Sequence, residues 1–203
     1  MSDQRPHSTG EFESYYQGEA PPWDINRPQP ALAAVADQWT GRFLDVGCGT
    51  GEHAMLAASR GLEAVGVDAA PTAIARAEQK ARDRGLDVRF FVADVLEPSS
   101  IGERFDTAVD CGVFHVFDDD GRARYVRTLS EVLSPGGRVY LLCFSDRQPG
   151  DWGPRRVREE ELRASFADGW RVESIEPAQL SVTFMPEGGV ESWLATFTRS
   201  PAS

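Results

Sequence analysis

Asp45, Asp68, Asp94 and Asp110 each stand at or just past the end of a short apolar run, and a turn, Gly47-Cys48-Gly49-Thr50-Gly51, follows the first of them. Three glycines at alternate positions let the backbone bend sharply and pass close to a ligand. Asp45 sits two residues ahead of that turn. A carboxylate there would repel a phosphate and attract a cation, so the turn suits a positively charged ligand better than a nucleotide phosphate. Asp68 lies 17 residues past Gly51, where a carboxylate can accept from both hydroxyls of a ribose. Asp94, with the backbone of Val95 beside it, can accept from an adenine amino group. Any one of these acids alone reads equally well as a helix cap or a solvated loop residue; their order along the chain gives them weight.

Asp110 and Cys111 lead into Phe114-His115-Val116-Phe117. His115 could take a proton from a hydroxyl or a protonated nitrogen, because an unperturbed imidazole titrates near neutrality; it could also simply fill the loop. Asp118-Asp119-Asp120 invites a metal, but an N-cap followed by first-turn acids explains it better. His53 reads as a helix-surface residue or a neighbour of the ligand, and His7 falls in the N-terminal tail. Cys48, Cys111 and Cys143 are few and widely spaced, with no CxxC or HxxxH pattern, and read as free thiols of a reducing compartment.

The elements that must position these groups alternate. Strands are expected at Arg42–Val46, Glu63–Val67, Val88–Val92, Phe105–Val109 and Arg138–Phe144, and further strands near Arg171–Ile175 and Trp193–Thr198. Helices are expected at Ala31–Trp39, from Gly51 to Arg60, from Pro71 to Arg84 where Gly85 stops it, and at Asp119–Leu133 and Glu159–Phe166. Ser134-Pro135-Gly136-Gly137 reads as a turn. Such alternation implies a mostly parallel sheet covered on both faces, with ligands at the C-terminal strand ends.

The 203 residues suit one domain. Residues 1–10 read as a disordered tail, 11–40 as an aromatic, proline-stiffened cover segment with a helix, and 41–203 as the ligand-binding part of the same domain. A formal charge of −11 disfavours nucleic acid. No membrane span or secretory signal is visible, so a cytoplasmic protein, monomer or homodimer, is expected.

Residues 40–144, with Leu44-Asp45-Val46-Gly47-Cys48-Gly49-Thr50-Gly51, the acids after the second and third strands, and Leu133-Ser134-Pro135-Gly136-Gly137-Arg138, resemble the class I S-adenosylmethionine-dependent methyltransferases. The resemblance implies an α/β, Rossmann-like seven-stranded sheet, mostly parallel with the last strand antiparallel. It implies S-adenosyl-L-methionine as cofactor and S-adenosyl-L-homocysteine as product. The binding residues would be Trp23, Asp45, Gly47, Cys48, Gly49, Asp68, Ala69, Asp94, Val95, Asp110 and Cys111. A nicotinamide dehydrogenase would want a third glycine where Glu52 stands. A non-catalytic cofactor-binding protein would have no use for an acceptor pocket.

Pro21-Pro22-Trp23-Asp24-Ile25-Asn26-Arg27-Pro28 is similar to the N-terminal cover of the small-molecule branch, which includes thiopurine, thiol, tellurite, phenol and nitrogen-heterocycle methyltransferases. That similarity implies methyl transfer to S, N or O of a small aromatic or heterocyclic acceptor, or alternatively thiol or chalcogen detoxification. Tyr16 would line the acceptor pocket and His115 would be its base. The arginines of the 145–156 loop could receive an anionic group of the acceptor and Trp152 could stack on its ring, or the loop could be a solvated insertion.

Overall fold

A computed structural model describes residues 9–18, 20–97 and 101–201. Its centre is a seven-stranded sheet in the order β3-β2-β1-β4-β5-β7-β6. Strands β1 (Arg42–Val46), β2 (Glu63–Asp68), β3 (Val88–Val92), β4 (Phe105–Cys111) and β5 (Leu133–Phe144) run parallel; β7 (Met185–Arg199) is antiparallel to both β5 and β6 (Trp170–Val182). The expected seven strands with a reversed last strand are therefore present. The helices are α1 (Thr9–Tyr16), α2 (Pro30–Ala33), α3 (Glu52–Ser59), α4 (Pro71–Arg84), α5 (Asp119–Val132) and α6 (Glu159–Ser165), with 3-10 turns at Ala36–Gln38 and Phe114–Val116.

Alternation along each strand splits the core. Leu44 and Val46 of β1 and Ala108 of β4 pack with Tyr125 and Leu129 of α5 and Leu162 of α6. Phe43 and Val109 face the other way, onto Leu32, Ala54, Met55, Ile74 and Ala77 of α2, α3 and α4. Helices thus cover both faces, as short apolar strands require. The strand order reverses between β1 and β4, and the crevice that this opens is where open α/β sheets bind ligands.

Four expectations are corrected. Residues 1–8 lie outside the described residues, but Thr9 and Gly10 open α1 rather than belonging to a tail. The single helix expected at Ala31–Trp39 is one turn of α-helix followed by a 3-10 turn. The Ser134–Gly137 turn is a bulge inside β5: Leu133 pairs with Phe105 and Arg138 with Thr107, so the intervening residues loop out. The last two strands are far longer than the patterning suggests. Pro177 falls inside β6, which is an edge strand, where a proline with no N–H to offer is tolerated. Among the described residues no helix is long and apolar enough to cross a membrane.

The start of α3 is tightly specified. Gly51 has φ +83°, and a Cβ there would come within 2.6 Å of the Phe90 ring and 3.0 Å of Ala77. Gly85, which ends α4, also has positive φ but open space around it. Gly51→Ala is expected to lose more than about 2 kcal/mol, from strain plus overpacking, and Gly85→Ala about 1 kcal/mol from strain alone. Urea denaturation of both variants measures the difference, and equal losses would show that Phe90 moves aside freely.

Candidate functional site

The glycine turn is fastened from below. Asp68, the last residue of β2, accepts the N–H of Gly49 through Oδ2 (2.8 Å) and that of Ala70 through Oδ1 (2.8 Å). Cys48 N–H donates to the Val67 carbonyl, and Gly51 N–H closes the turn on the Cys48 carbonyl. Glycine is obligatory twice here. A Cβ on Gly47 would lie 2.3 Å from Val113, and one on Gly49 would lie 2.8 Å from the Tyr16 hydroxyl.

The N-terminal segment folds across this turn. Glu13 of α1 accepts both the N–H (3.1 Å) and the hydroxyl of Thr72, and so caps α4, whose own N-cap position is Ala70 with no side chain able to do it. Asp24 accepts the Thr50 hydroxyl (3.0 Å), and Lys80 donates to both Thr50 (2.8 Å) and Glu52 (3.0 Å). Gln29 bonds the backbone of Ser181 in both directions, and its own N–H donates to His53 Nε2 (3.2 Å). The cover is thus tied to α3, α4 and β6.

Between cover and sheet lies a cavity of about 670 Å³. Its cofactor-like end holds Gly47, Cys48, Gly49, Asp68 and Ala69, with Asp94, Val95 and Cys111 alongside. Its other end is aromatic: Tyr15 and Trp23 from the cover, and His115, Phe144 and Trp152 from the sheet side. Phe12, Val113, Phe117, Leu180 and Val182 also line it, and the sequence carried no signal for these beyond their apolar character.

Two of the four strand-end acids stand behind the wall. Asp110 is fully buried and accepts the N–H groups of Val113 (2.7 Å) and Phe114 (3.1 Å) and the Tyr125 hydroxyl (2.8 Å). Its expected place among ligand-contacting residues is corrected: it shapes the 3-10 turn that carries His115. Asp45 accepts the Ala54 N–H through Oδ2 (3.0 Å), and its buried Oδ1 has no hydrogen-bond partner. His53 Nδ1 is 3.8 Å from that oxygen, beyond bonding reach. Tyr16 lines the cavity, is buried over Gly49 and accepts Trp23 Nε1 (3.1 Å), so it stands between the glycine turn and the Trp23 ring.

Burial dominates the electrostatics. It pushes the Asp45 carboxyl up to about 8, with Asp68 and Asp110 adding to the Ala54-opposed rise. It raises Asp68 as well, against the N–H groups of Ala70 and Gly49, and takes Asp110 to about 6. The Tyr16 phenol is raised by burial and by Asp68. Burial takes His53 down to about 4, so its imidazole is neutral.

His115 is oriented in a way that decides its chemistry. Its Nδ1 accepts the Phe144 N–H (3.0 Å), so a neutral ring carries its proton on Nε2. The lone pair a general base needs is committed to β5, which corrects the expected base role. Two of the three arginines of the 145–156 loop are also committed, while Arg147 lies over the Trp193 ring at 5.8 Å. Arg155 pairs with Asp119 and Glu161, and Arg156 donates to the carbonyls of Gln148 and Pro154 while lying over Phe144 and Trp152. They build the loop rather than receive an anion. Asp118 caps α5 by accepting from Gly121 N–H (2.8 Å), as its position suggested.

The residues present fit S-adenosylmethionine. The cradle is one that a Cβ would fill, its charges are carboxylates suited to a sulfonium and an ammonium, and Asp68 keeps lone pairs beyond the two it has used. Among the described residues no cluster could hold a metal ion.

Residues 43–137 match the family described as a methyltransferase domain. The 2-heptyl-1-hydroxyquinolin-4(1H)-one methyltransferase of Mycobacteroides abscessus is 39% identical over 181 residues, 83% of this chain and 80% of that protein. A structure solved in work on the conversion of a disulfide bond into a thioacetal group during echinomycin biosynthesis is 36% identical. It aligns over 97% of this chain and 94% of the other, with a TM-score of 0.87. The fold is shared with the 1,6-didemethyltoxoflavin-N1-methyltransferase of Burkholderia thailandensis, bound to S-adenosylhomocysteine, at 22% identity and a TM-score of 0.74, over 95% and 87% of the two chains.

The raised carboxyl of Asp45 has a thermal consequence. A group whose folded value exceeds its unfolded value of about 3.9 stabilises the fold in full below that pH and loses the contribution as pH rises through the folded value, here about 8. The ligand-free melting temperature should therefore fall between about pH 4 and pH 8 and level off above that, and Asp45→Asn should flatten that fall by at least about 3 °C. An unchanged slope in differential scanning calorimetry would mean that Asp45 is ionised throughout.

Proposed function

The chain belongs to the S-adenosylmethionine-dependent methyltransferases acting on small molecules, and on that premise we propose that its acceptor is a planar aromatic or heterocyclic molecule, methylated at sulfur, nitrogen or oxygen. The observation that carries this reading is one continuous cavity with two unlike ends: carboxylates and a glycine cradle at one, facing aromatic rings at the other. The quinolone substrate named for the Mycobacteroides relative and the toxoflavin precursor named for the Burkholderia one support it.

We assign cofactor binding to the Gly47–Gly49 backbone, Cys48, Asp68, Ala69, Asp94, Val95, Cys111 and Trp23. Asp68 takes the ribose hydroxyls while keeping the turn in place, and Asp94 and Val95 meet the adenine. Asp45 favours the ligand's positive charge from beneath the wall. S-adenosylmethionine supplies the activated methyl group when bound. The protein's own task is to hold the acceptor's nucleophile in line and to keep water out. Tyr15 and Trp23 close one face of the acceptor, and Phe144 and Trp152 form the other. His115 positions that second face: its ring meets Phe144 edge-on at 5.0 Å, and its Nδ1 holds the Phe144 backbone. The same elements, with the cover tied over them, are proposed to act as one domain.

Calorimetric titration tests the cofactor assignment. Both S-adenosylmethionine and S-adenosylhomocysteine should bind, and NAD should not. Asp68→Ala should weaken binding at least about tenfold, since each charge-assisted bond is worth about 1.5–3 kcal/mol. Unchanged affinity with an intact fold would remove Asp68 from the site.

His115→Gln separates positioning from proton transfer. The rate with an aromatic thiol or phenol acceptor should fall severalfold, with the pH profile unmoved. Loss of an enzyme-side ionisation from the profile would restore His115 as the base.

A further inference from the structure

Among the described residues, most of the large apolar side chains left exposed stand around one opening. Tyr15, Trp23, Trp152 and Phe184 all line the cavity, and the other two, Phe91 and Val92, sit on the edge strand β3. On the sheet side the rings form a ramp. His115 and Phe144 are buried, Trp152 is 38% exposed, and Phe184, in the hairpin turn between β6 and β7, is 55% exposed. Successive ring centroids are 5.0, 5.8 and 5.4 Å apart, each pair edge to face.

The ramp is braced. Arg156 lies over the Phe144 and Trp152 rings and bonds the carbonyls of Gln148 and Pro154, which fixes the loop that carries Trp152. The hairpin turn is pinned to the cover by Thr183 N–H on the Pro22 carbonyl (2.9 Å) and by the paired bonds of Gln29 and Ser181. Exposed ring surface at Trp152 and Phe184, on a path that leads into a cavity, marks a surface that something apolar covers.

We propose that the acceptor is amphiphilic: its reacting ring occupies the closed end, and an unbranched hydrocarbon tail runs outward along Phe144, Trp152 and Phe184. The proposal rests on the acceptor reading above and extends it. Continuity with the cavity favours part of the acceptor over a separate molecule. The exposed rings of the strip are Trp152 and Phe184, far short of the roughly 800 Å² per partner of a stable protein interface. The formal charge of −11 disfavours an anionic lipid surface.

The test uses the full chain loaded with S-adenosylhomocysteine and a series of 4-alkylthiophenols, from the unsubstituted ring to heptyl. Affinity is read by calorimetry and turnover separately with S-adenosylmethionine. Affinity should rise about threefold per methylene and level off once the tail passes the rim. Phe184→Ala should abolish the gain from the outer methylenes, whereas Phe91→Ala, on the far edge of the sheet, should leave the whole series as it is. A series flat in chain length overturns the tail. A series that also steepens in Phe184→Ala overturns the track. Chain-dependent binding without turnover would keep the track and sink the acceptor reading; turnover with a flat series would do the reverse. Equal losses across the series in Phe184→Ala would mean a larger ring system or a general distortion of the mouth, and would overturn the proposal.

Discussion

The carboxylate of Asp68 is the point on which the site is built. It ends β2, is almost fully buried, and receives the N–H of Gly49 across the sheet and of Ala70 along its own chain. Those two bonds fix where the glycine turn leaves β1 and where α4 begins. A turn with three positive-φ glycines has many conformations open to it in the unfolded chain, so a buried anion that binds one of them is a strong selector. Moving Asp68 would release the turn, the start of α3 and the seat of Tyr16 together.

The same residue belongs to an electrostatic arrangement that is unfavourable without a ligand. Asp45, Asp68 and Asp110 lie close enough that Asp45 is raised by both of the others, and among the described residues no cation pairs with any of the three. Arg84 and Lys80 pair with Glu52 on the outer side of α3, and Arg155 and Arg122 pair with Glu161 behind α5. The buried acids therefore favour a positively charged ligand at the strand ends, and they disfavour the phosphates that the same fold holds elsewhere. His53, held neutral by burial and by the Gln29 N–H, does not relieve the charge.

Beyond the packing of Leu32 and Trp39 on the core and of Tyr16 on Ala70 and Ala73, the cover segment is held by polar bonds. Glu13 on Thr72, Asp24 on Thr50, and Gln29 on Ser181 each satisfy a group that a neighbouring element leaves open. Bonds of this kind contribute about 1 kcal/mol each and can be broken and remade singly. That suits a segment that must stay in register over the cavity while its aromatic residues remain available to an acceptor.

What the sequence determined alone was local or periodic. Alternating runs and the glycine turn gave the α/β class and the first strands to within a residue or two, because a strand buried on both faces needs an apolar run and a helix start needs a turn. Pro71 and Gly85 bounded α4 for the same local reasons. The order of acids along the chain located the ligand end, since strand ends of a parallel sheet share one side. Tertiary structure decided the rest. Whether an acid at a strand end faces a cavity or the core depends on its neighbours: Asp68 lines the wall, while Asp110 turns to Tyr125 fifteen residues on. His115 lost its expected role to a backbone N–H on β5, and Arg155 and Arg156 lost theirs to Glu161, Asp119 and two ring faces. Even α1 hinted at itself only indirectly, through the missing cap at Ala70 that Glu13 supplies. Phe184 had no local signal, because its place on the ramp exists only when β6 and β7 pair and bring a hairpin turn beside a loop some thirty residues earlier in the chain.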